Sequence, residues 1–128
     1  MNSFENELMS CCLDHRIIEK EEQYIYLKGE FSFPLSFTGF QGHFPTRPVL
    51  PAVIQLTIIR LLAQQALTRP LLPRQYGKTN FRSIVEPEQE IIVELKLNFS
   101  ALNVDSQFQL KQLDKQKISE GSCTFSYL

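Results

Sequence analysis

GFQGHFPTRPVLPAVIQLTIIRLLAQQAL, residues 39–67, decides the fold. Its second half, residues 52–67, has 11 apolar residues out of 16 and no internal turn signal. Pro51 stands just ahead of it, where a missing N–H costs a helix nothing, and Pro70 and Pro73 follow its end. The run predicts a helix over Ala52–Leu67; a pair of buried strands is the alternative for so apolar a stretch. Such a helix, apolar nearly all round, must be buried on most sides.

The flanks of this run predict strands. Residues 23–31 (QYIYLKGEF) alternate and carry aromatic residues, and Ile17 and Ile18 belong to a strand before them. Beyond the helix, Ile91, Val93, Leu95, Leu97 and Phe99 alternate with Ile92, Glu94, Lys96, Asn98 and Ser100, a period of two. Val104, Phe108 and Leu110 continue the pattern, as do Cys123, Phe125 and Tyr127, and a further strand is expected near residues 78–85. The order is two strands, one long helix and about four strands. One apolar helix cannot shield itself, so the economical solution is an α+β layer with an antiparallel sheet curled around it. The sheet edges then make oligomerisation plausible.

The chain has 128 residues, 43% hydrophobic and 21% charged, which suits a single folded domain over 1–128. A net charge of −1 points to no polyanionic partner. Cys11, Cys12 and Cys123 are odd in number and lack CxxC spacing, so neither a disulfide framework nor a zinc site is expected. MNSFENELMSCC lacks the basic and apolar regions of a signal peptide, and no run is long enough to span a membrane. Reduced thiols and a cytoplasmic location are the expectation. No metal or cofactor is called for.

Ahead of the helix, Pro45, Pro48 and Pro51 restrict the backbone, while Gly39 and Gly42 free it. The stiffened segment presents His43. The first free N–H groups of the helix, at Ala52 and Val53, form a positive end that can hold a carbonyl oxygen or an anion. Imidazole beside such an end suits work on a thioester: the ring abstracts a proton while N–H groups stabilise an enolate-like oxygen. The other reading makes His43 a hydrogen-bonding residue of a tight loop. Phe31, Phe33, Phe37, Phe40 and Phe44 either line an acyl tunnel or pack the core. His15, beside Asp14, has no assigned role.

GHFPTRPVLPA followed by an apolar helix resembles the signature of the hot-dog-fold β-hydroxyacyl-acyl-carrier-protein dehydratases, GHFPxxPVxPG and a long central helix. FRSIVEPEQEIIVEL resembles the strand, Pro-Gly turn and strand that follow, with Pro87-Glu88 in place of Pro-Gly. The PVLPxVxQL run is similar to the aryl-polyene branch of that family. The resemblance implies a hot-dog fold, with a curved antiparallel sheet of about six strands around the helix. It implies paired subunits with an acyl tunnel between them, and a carrier-protein or CoA thioester as substrate. His43 matches the family's catalytic histidine, the base at C2 of a 3-hydroxyacyl thioester, with Gly42, Phe44, Ala52, Val53 and Gln55 around the substrate. The family's acid stands 14 positions beyond the histidine on the partner's helix; here that position is Thr57. Threonine cannot replace a carboxylic acid as proton donor. The glycine before the helix is replaced by Ala52. A dehydratase acting in fatty-acid or polyene-type biosynthesis, a half-site subunit pairing with an intact relative, an acyl-carrier or acyl-CoA binding module, and a hot-dog thioesterase are the readings this leaves.

Residues 31–85 hold no Asp or Glu and carry Arg47, Arg60, Arg69, Arg74, Lys78 and Arg82. Concentrated positive potential steers anionic partners. Arg69, Arg74 and Lys78, just past the helix, are candidates for contact with an acidic acyl carrier protein and the phosphodiester of its arm. No basic motif with interleaved aromatics suggests nucleic acid. A homodimer, a higher assembly of dimers or a hetero-oligomer with an intact dehydratase is the expected state.

Overall fold

The structure, a computed structural model, describes residues 1–41 and 47–128. Alternating side chains give long strands, and the strands close round one helix. In chain order the elements are α1 (Ser3–Ser10), β1 (Cys12–Glu21), β2 (Tyr24–Ser32), a 3-10 turn (Thr38–Phe40), α2 (Ala52–Leu67), β3 (Leu71–Tyr76), β4 (Asn80–Phe81), β5 (Glu90–Phe99), β6 (Asn103–Gln112) and β7 (Lys117–Tyr127). Among the described residues the sheet has seven strands in the order β1-β2-β5-β6-β7-β3, with β4 also pairing to β7. All pairings are antiparallel.

The period-two pattern sets the register. Leu95 of β5 stands opposite Leu27 of β2 on one side and Phe108 of β6 on the other. All three are buried, together with Ile91, Val93, Leu97, Val104 and Leu110. Opposite them α2 buries Ile54, Ile58, Ile59, Leu61, Leu62 and Ala63. The approach is close at Gly29, where an added Cβ would lie 3.4 Å from Leu62 and 3.2 Å from the Phe31 ring. The helix ends at Thr68, which adopts a left-handed conformation with φ 53°.

Three elements differ from the sequence expectation. α1 was not anticipated; it is held by a capping box in which the Asn2 side chain accepts from Glu5 N–H. β3 was not anticipated either, because Pro73 lies inside it. Pro73 is tolerated because β3 is an edge strand, and the register shifts beside it. The strand expected near residues 78–85 shrinks to Asn80–Phe81. Among the described residues the count of seven, with the two-residue β4 included, agrees with the expected sheet of about six strands.

The Pro87-Glu88 turn has the geometry its sequence suggests. Gln89 N–H donates to Glu86 C=O at 3.3 Å, and Glu88 has φ 67°. Pro at the second position and positive φ at the third define a type II turn, a place that favours glycine. Glu88→Gly is expected to stabilise the fold by about 0.5–1 kcal/mol, as relief of left-handed strain outweighs added chain entropy. Urea denaturation is the check.

On the outer face of the sheet Glu94 pairs with Lys111 at 2.7 Å and accepts from Tyr26 Oη at 2.8 Å. Lys111 first, and then the Tyr26 hydroxyl, hold the Glu94 carboxyl below its usual 4.5 against the opposing effect of burial. Burial and the facing carboxylate push Tyr26 up to about 12. Glu94 gives up its proton more readily folded than unfolded. Its contribution to stability is therefore present above pH 4.5 and fades as acid protonates it. Glu94→Gln is expected to flatten the acid limb of a Tm-against-pH curve and to leave its neutral shape unchanged.

Candidate active site at the start of the central helix

The helix α2 opens without a cap. Pro51 is extended, with φ −62° and ψ 151°, and no side chain among the described residues bonds to the helix start. Ile54 and Gln55 N–H turn back to the Pro51 carbonyl at 3.1 and 3.2 Å. The N–H groups of Ala52 and Val53 precede the first of these bonds, and Val53 is 67% exposed. Among the described residues nothing bonds to these two N–H groups, which stand at the positive end of the helix dipole.

The segment before it is anchored on both sides. Upstream, the turn is closed by Phe40 N–H to Phe37 C=O at 3.1 Å and Gln41 N–H to Thr38 C=O at 3.0 Å. Downstream, Leu50 N–H donates to Val85 C=O at 2.9 Å, and Arg47 pairs with Glu86 at 2.9 Å. Gly42, His43 and Phe44 lie between these anchors and outside the described residues.

Two predicted site residues have definite partners. Gln55 is buried: its Oε1 accepts from Ser119 Oγ at 2.8 Å, and its Nε2 donates to Leu50 C=O at 3.5 Å, a long bond. It ties α2 to β7 and to the end of the loop. Thr57 lies one turn beyond Val53 and donates its hydroxyl to the Val53 carbonyl at 2.8 Å. That proton serves the helix backbone, as threonine hydroxyls commonly do.

The phenylalanines are core. Phe31, Phe33, Phe37 and Phe40 are buried, with successive centroids 5.9, 5.1 and 5.8 Å apart. Phe44 lies outside the described residues. Neither of two cavities, about 350 and 320 Å³, is lined by Ala52, Val53 or Thr57. The larger lies on the outer face of the sheet among Lys78, Lys96, Gln107 and Gln109; the smaller lies between β1 and the C-terminal half of α2.

Half of the cations in the acid-free stretch are paired with acids from elsewhere in the chain. Arg47 pairs with Glu86, Arg60 with Glu5 and Arg82 with Glu120. Arg69 lies over the Tyr127 ring at 3.8 Å, and Arg74 Nε donates to Ser126 Oγ at 2.7 Å. Lys78 lines the outer cavity. These last three have no carboxylate partner among the described residues. The thiols are unpaired, and burial raises all three, Cys123 to about 11. Among the described residues no helix is long and apolar enough to cross a membrane.

The sequence matches the profile of the ApeI-like family, described as ApeI dehydratase, over residues 18–122. The chain belongs to this ApeI-like dehydratase family. A curated relative, 3-hydroxyacyl-[acyl-carrier-protein] dehydratase FabZ of Caldicellulosiruptor bescii, is 29% identical over 121 residues, covering 87% of this chain and 84% of that protein. FabZ of Enterococcus faecalis is 33% identical over 96 residues, covering 67% and 66%. Among solved structures, the dehydratase heterocomplex ApeI:P from Xenorhabdus doucetiae matches with TM-score 0.66 at 19% identity, covering 90% of this chain and 96% of that one. Zebra fish thioesterase superfamily member 2 matches with TM-score 0.65 at 10% identity, covering 96% and 85%. These two likenesses establish the hot-dog fold. The ApeI-like chain thus has a dehydratase-type hot-dog architecture with threonine at position 57.

Ser119, Glu7 and Thr38 are supports that periodicity does not reveal. Ser119 sits 64 residues from Gln55, and Glu7 sits 31 from Thr38, so only tertiary folding pairs them. Ser119→Ala leaves the buried Gln55 oxygen without a partner and is expected to cost about 1–3 kcal/mol. Denaturant titration measures it, and Ser119→Ala with Gln55→Leu is expected to cost less than the two changes added.

Proposed function

We propose that this chain is a dehydratase-type subunit that eliminates water from a 3-hydroxyacyl thioester in fatty-acid or polyene-type biosynthesis. The observation that carries the reading is the uncapped start of α2, with open Ala52 and Val53 N–H groups nine and ten positions after His43. Membership of a dehydratase family and FabZ relatives spanning most of the chain support it. In this reading the thioester oxygen accepts from the Ala52 and Val53 N–H groups. The His43 imidazole takes a proton from C2, the C2–C3 double bond forms, and the C3 hydroxyl leaves as water once protonated. The site needs no metal or cofactor.

The proton for the departing hydroxyl is the open term. Thr57 has no acidity to give and donates its hydroxyl to Val53. The two carboxylates bonded to the anchors of the His43 segment are engaged, Glu86 by Arg47 and Glu7 by Thr38. Delivery by the histidinium or through a water at Thr57 completes the reaction within one kind of subunit. The second reading supplies a Glu or Asp from an intact relative, so that His43 forms half of a mixed site. The Thr57 geometry favours that second reading, and a structurally similar protein belongs to a dehydratase heterocomplex.

Assembly is part of the proposal. The β1 edge is blunted by two register shifts and six ionisable side chains between Asp14 and Glu21, five of them acids or cations flanking Ile17 and Ile18 closely. The opposite edge exposes Leu72, Tyr76 and Phe81, with Ile84 beyond, and suits pairing with a second subunit. Arg69, Arg74 and Lys78 then meet the acidic carrier or its phosphodiester. Unpaired thiols fit action in the cytoplasm.

The test is formation of a 2-enoyl thioester from a 3-hydroxyacyl carrier thioester, by the chain alone and with a family relative that has Glu or Asp at the position of Thr57. Turnover is expected in at least one preparation and is expected to be lost in His43→Ala. Thr57→Glu is expected to raise the rate of the chain alone by about 10²-fold, the scale of a positioned general acid. Release of free thiol instead of an enoyl product would establish a thioesterase.

A further inference from the structure

The helix α1 supplies no group to the chemistry proposed above, yet three of its side chains hold the supports of that site. Phe4 stacks on Phe37 with centroids 5.7 Å apart. Glu5 pairs with Arg60 of α2, whose guanidinium holds the Glu5 carboxyl below its usual range. Glu7 uses one oxygen to accept from both Thr38 N–H, at 3.2 Å, and Thr38 Oγ, at 3.1 Å. A carboxylate receiving two donors is a charge-assisted anchor.

Thr38 opens the turn that leans on the catalytic end of α2. Gly39 in that turn lies so near the first turn of the helix that an added Cβ would stand 2.6 Å from Ile54 Cδ1 and also strike the Phe37 ring. Ile54 is two residues from Ala52. The contact chain therefore runs from Glu7 to Thr38, from Gly39 to Ile54, and from there to the open N–H groups. Leu8 is fully buried, so α1 is a fixed base for this contact.

We propose that Glu7 is a positioning residue of this site. It holds the Thr38–Phe40 turn against the first turn of α2 and thereby fixes where the Ala52 and Val53 N–H groups stand. Its catalytic consequence rests on the dehydratase-type reading; its structural consequence does not. The Glu7 bonds are exposed, so their loss has little effect on global stability, whereas a small displacement at a reacting centre slows chemistry strongly.

Glu7→Ala and Glu7→Gln in the full chain test this, assayed in whichever preparation turns over. Glu7→Ala is expected to lower kcat about tenfold or more while KM changes less than about twofold. Its Tm is expected to stay near that of the parent. Glu7→Gln keeps an oxygen that accepts from Thr38 and is expected to recover most of the rate. An unchanged kcat in Glu7→Ala, or an equal loss in Glu7→Gln, overturns the proposal. Amide hydrogen exchange gives a readout independent of turnover: residues 38–41 are expected to exchange faster in Glu7→Ala and not in Glu7→Gln. Unchanged exchange overturns the proposal. Faster exchange with no turnover in any parent preparation upholds the anchor and counts against the dehydratase reading alone.

Discussion

Burial of α2 against the concave face of the sheet is the constraint on which the rest of the structure depends. Ile58, Ile59, Leu61, Leu62 and Ala63 are each at most 1% exposed. Full burial of a large aliphatic side chain contributes about 1.5–3 kcal/mol, so this row contributes heavily to the stability of the fold. The sheet depends on it equally, because β2, β5, β6 and β7 present apolar inner rows that would otherwise face water. Gly29 lets the two approach.

The same packing sets where the candidate site stands. A helix buried along its length still begins somewhere, and here it begins at Pro51 with no side-chain cap among the described residues and with Val53 exposed. The buried Gln55–Ser119 bond fixes that end to β7, and the Leu50–Val85 bond fixes the chain that leads into it. An open positive terminus on a rigid scaffold can act on developing negative charge because it does not reorganise during reaction. Thr57, on the less buried stripe of α2, donates its hydroxyl to the backbone one turn back.

Electrostatics follow the fold rather than the order of residues. The 31–85 stretch is wholly cationic in sequence, yet three of its six cations meet Glu5, Glu86 or Glu120 once the chain folds. The residues left without a carboxylate among the described residues, Arg69, Arg74 and Lys78, are those just beyond α2. Two of them rest on β7 side chains, Tyr127 and Ser126.

The sequence by itself determined α2 to the residue, the long strands and their inward faces, and the family to which the chain belongs. Those features are written locally, in apolar periodicity, in prolines at the helix boundaries and in one uninterrupted motif. The turn at Pro87-Glu88 was legible for the same reason. Tertiary structure decided what periodicity cannot express. β3 forms despite Pro73 because an edge position spares the missing N–H. α1 is too short to announce itself and is fixed through Phe37, Thr38 and Arg60. Gln55, legible only as a polar residue near the loop, became a buried strut through Ser119, 64 residues away. His43 lies outside the described residues, so its identity and spacing come from sequence, while the anchors on either side of it come from the fold. Local pattern sets which face a residue presents; long-range pairing alone sets what that face meets.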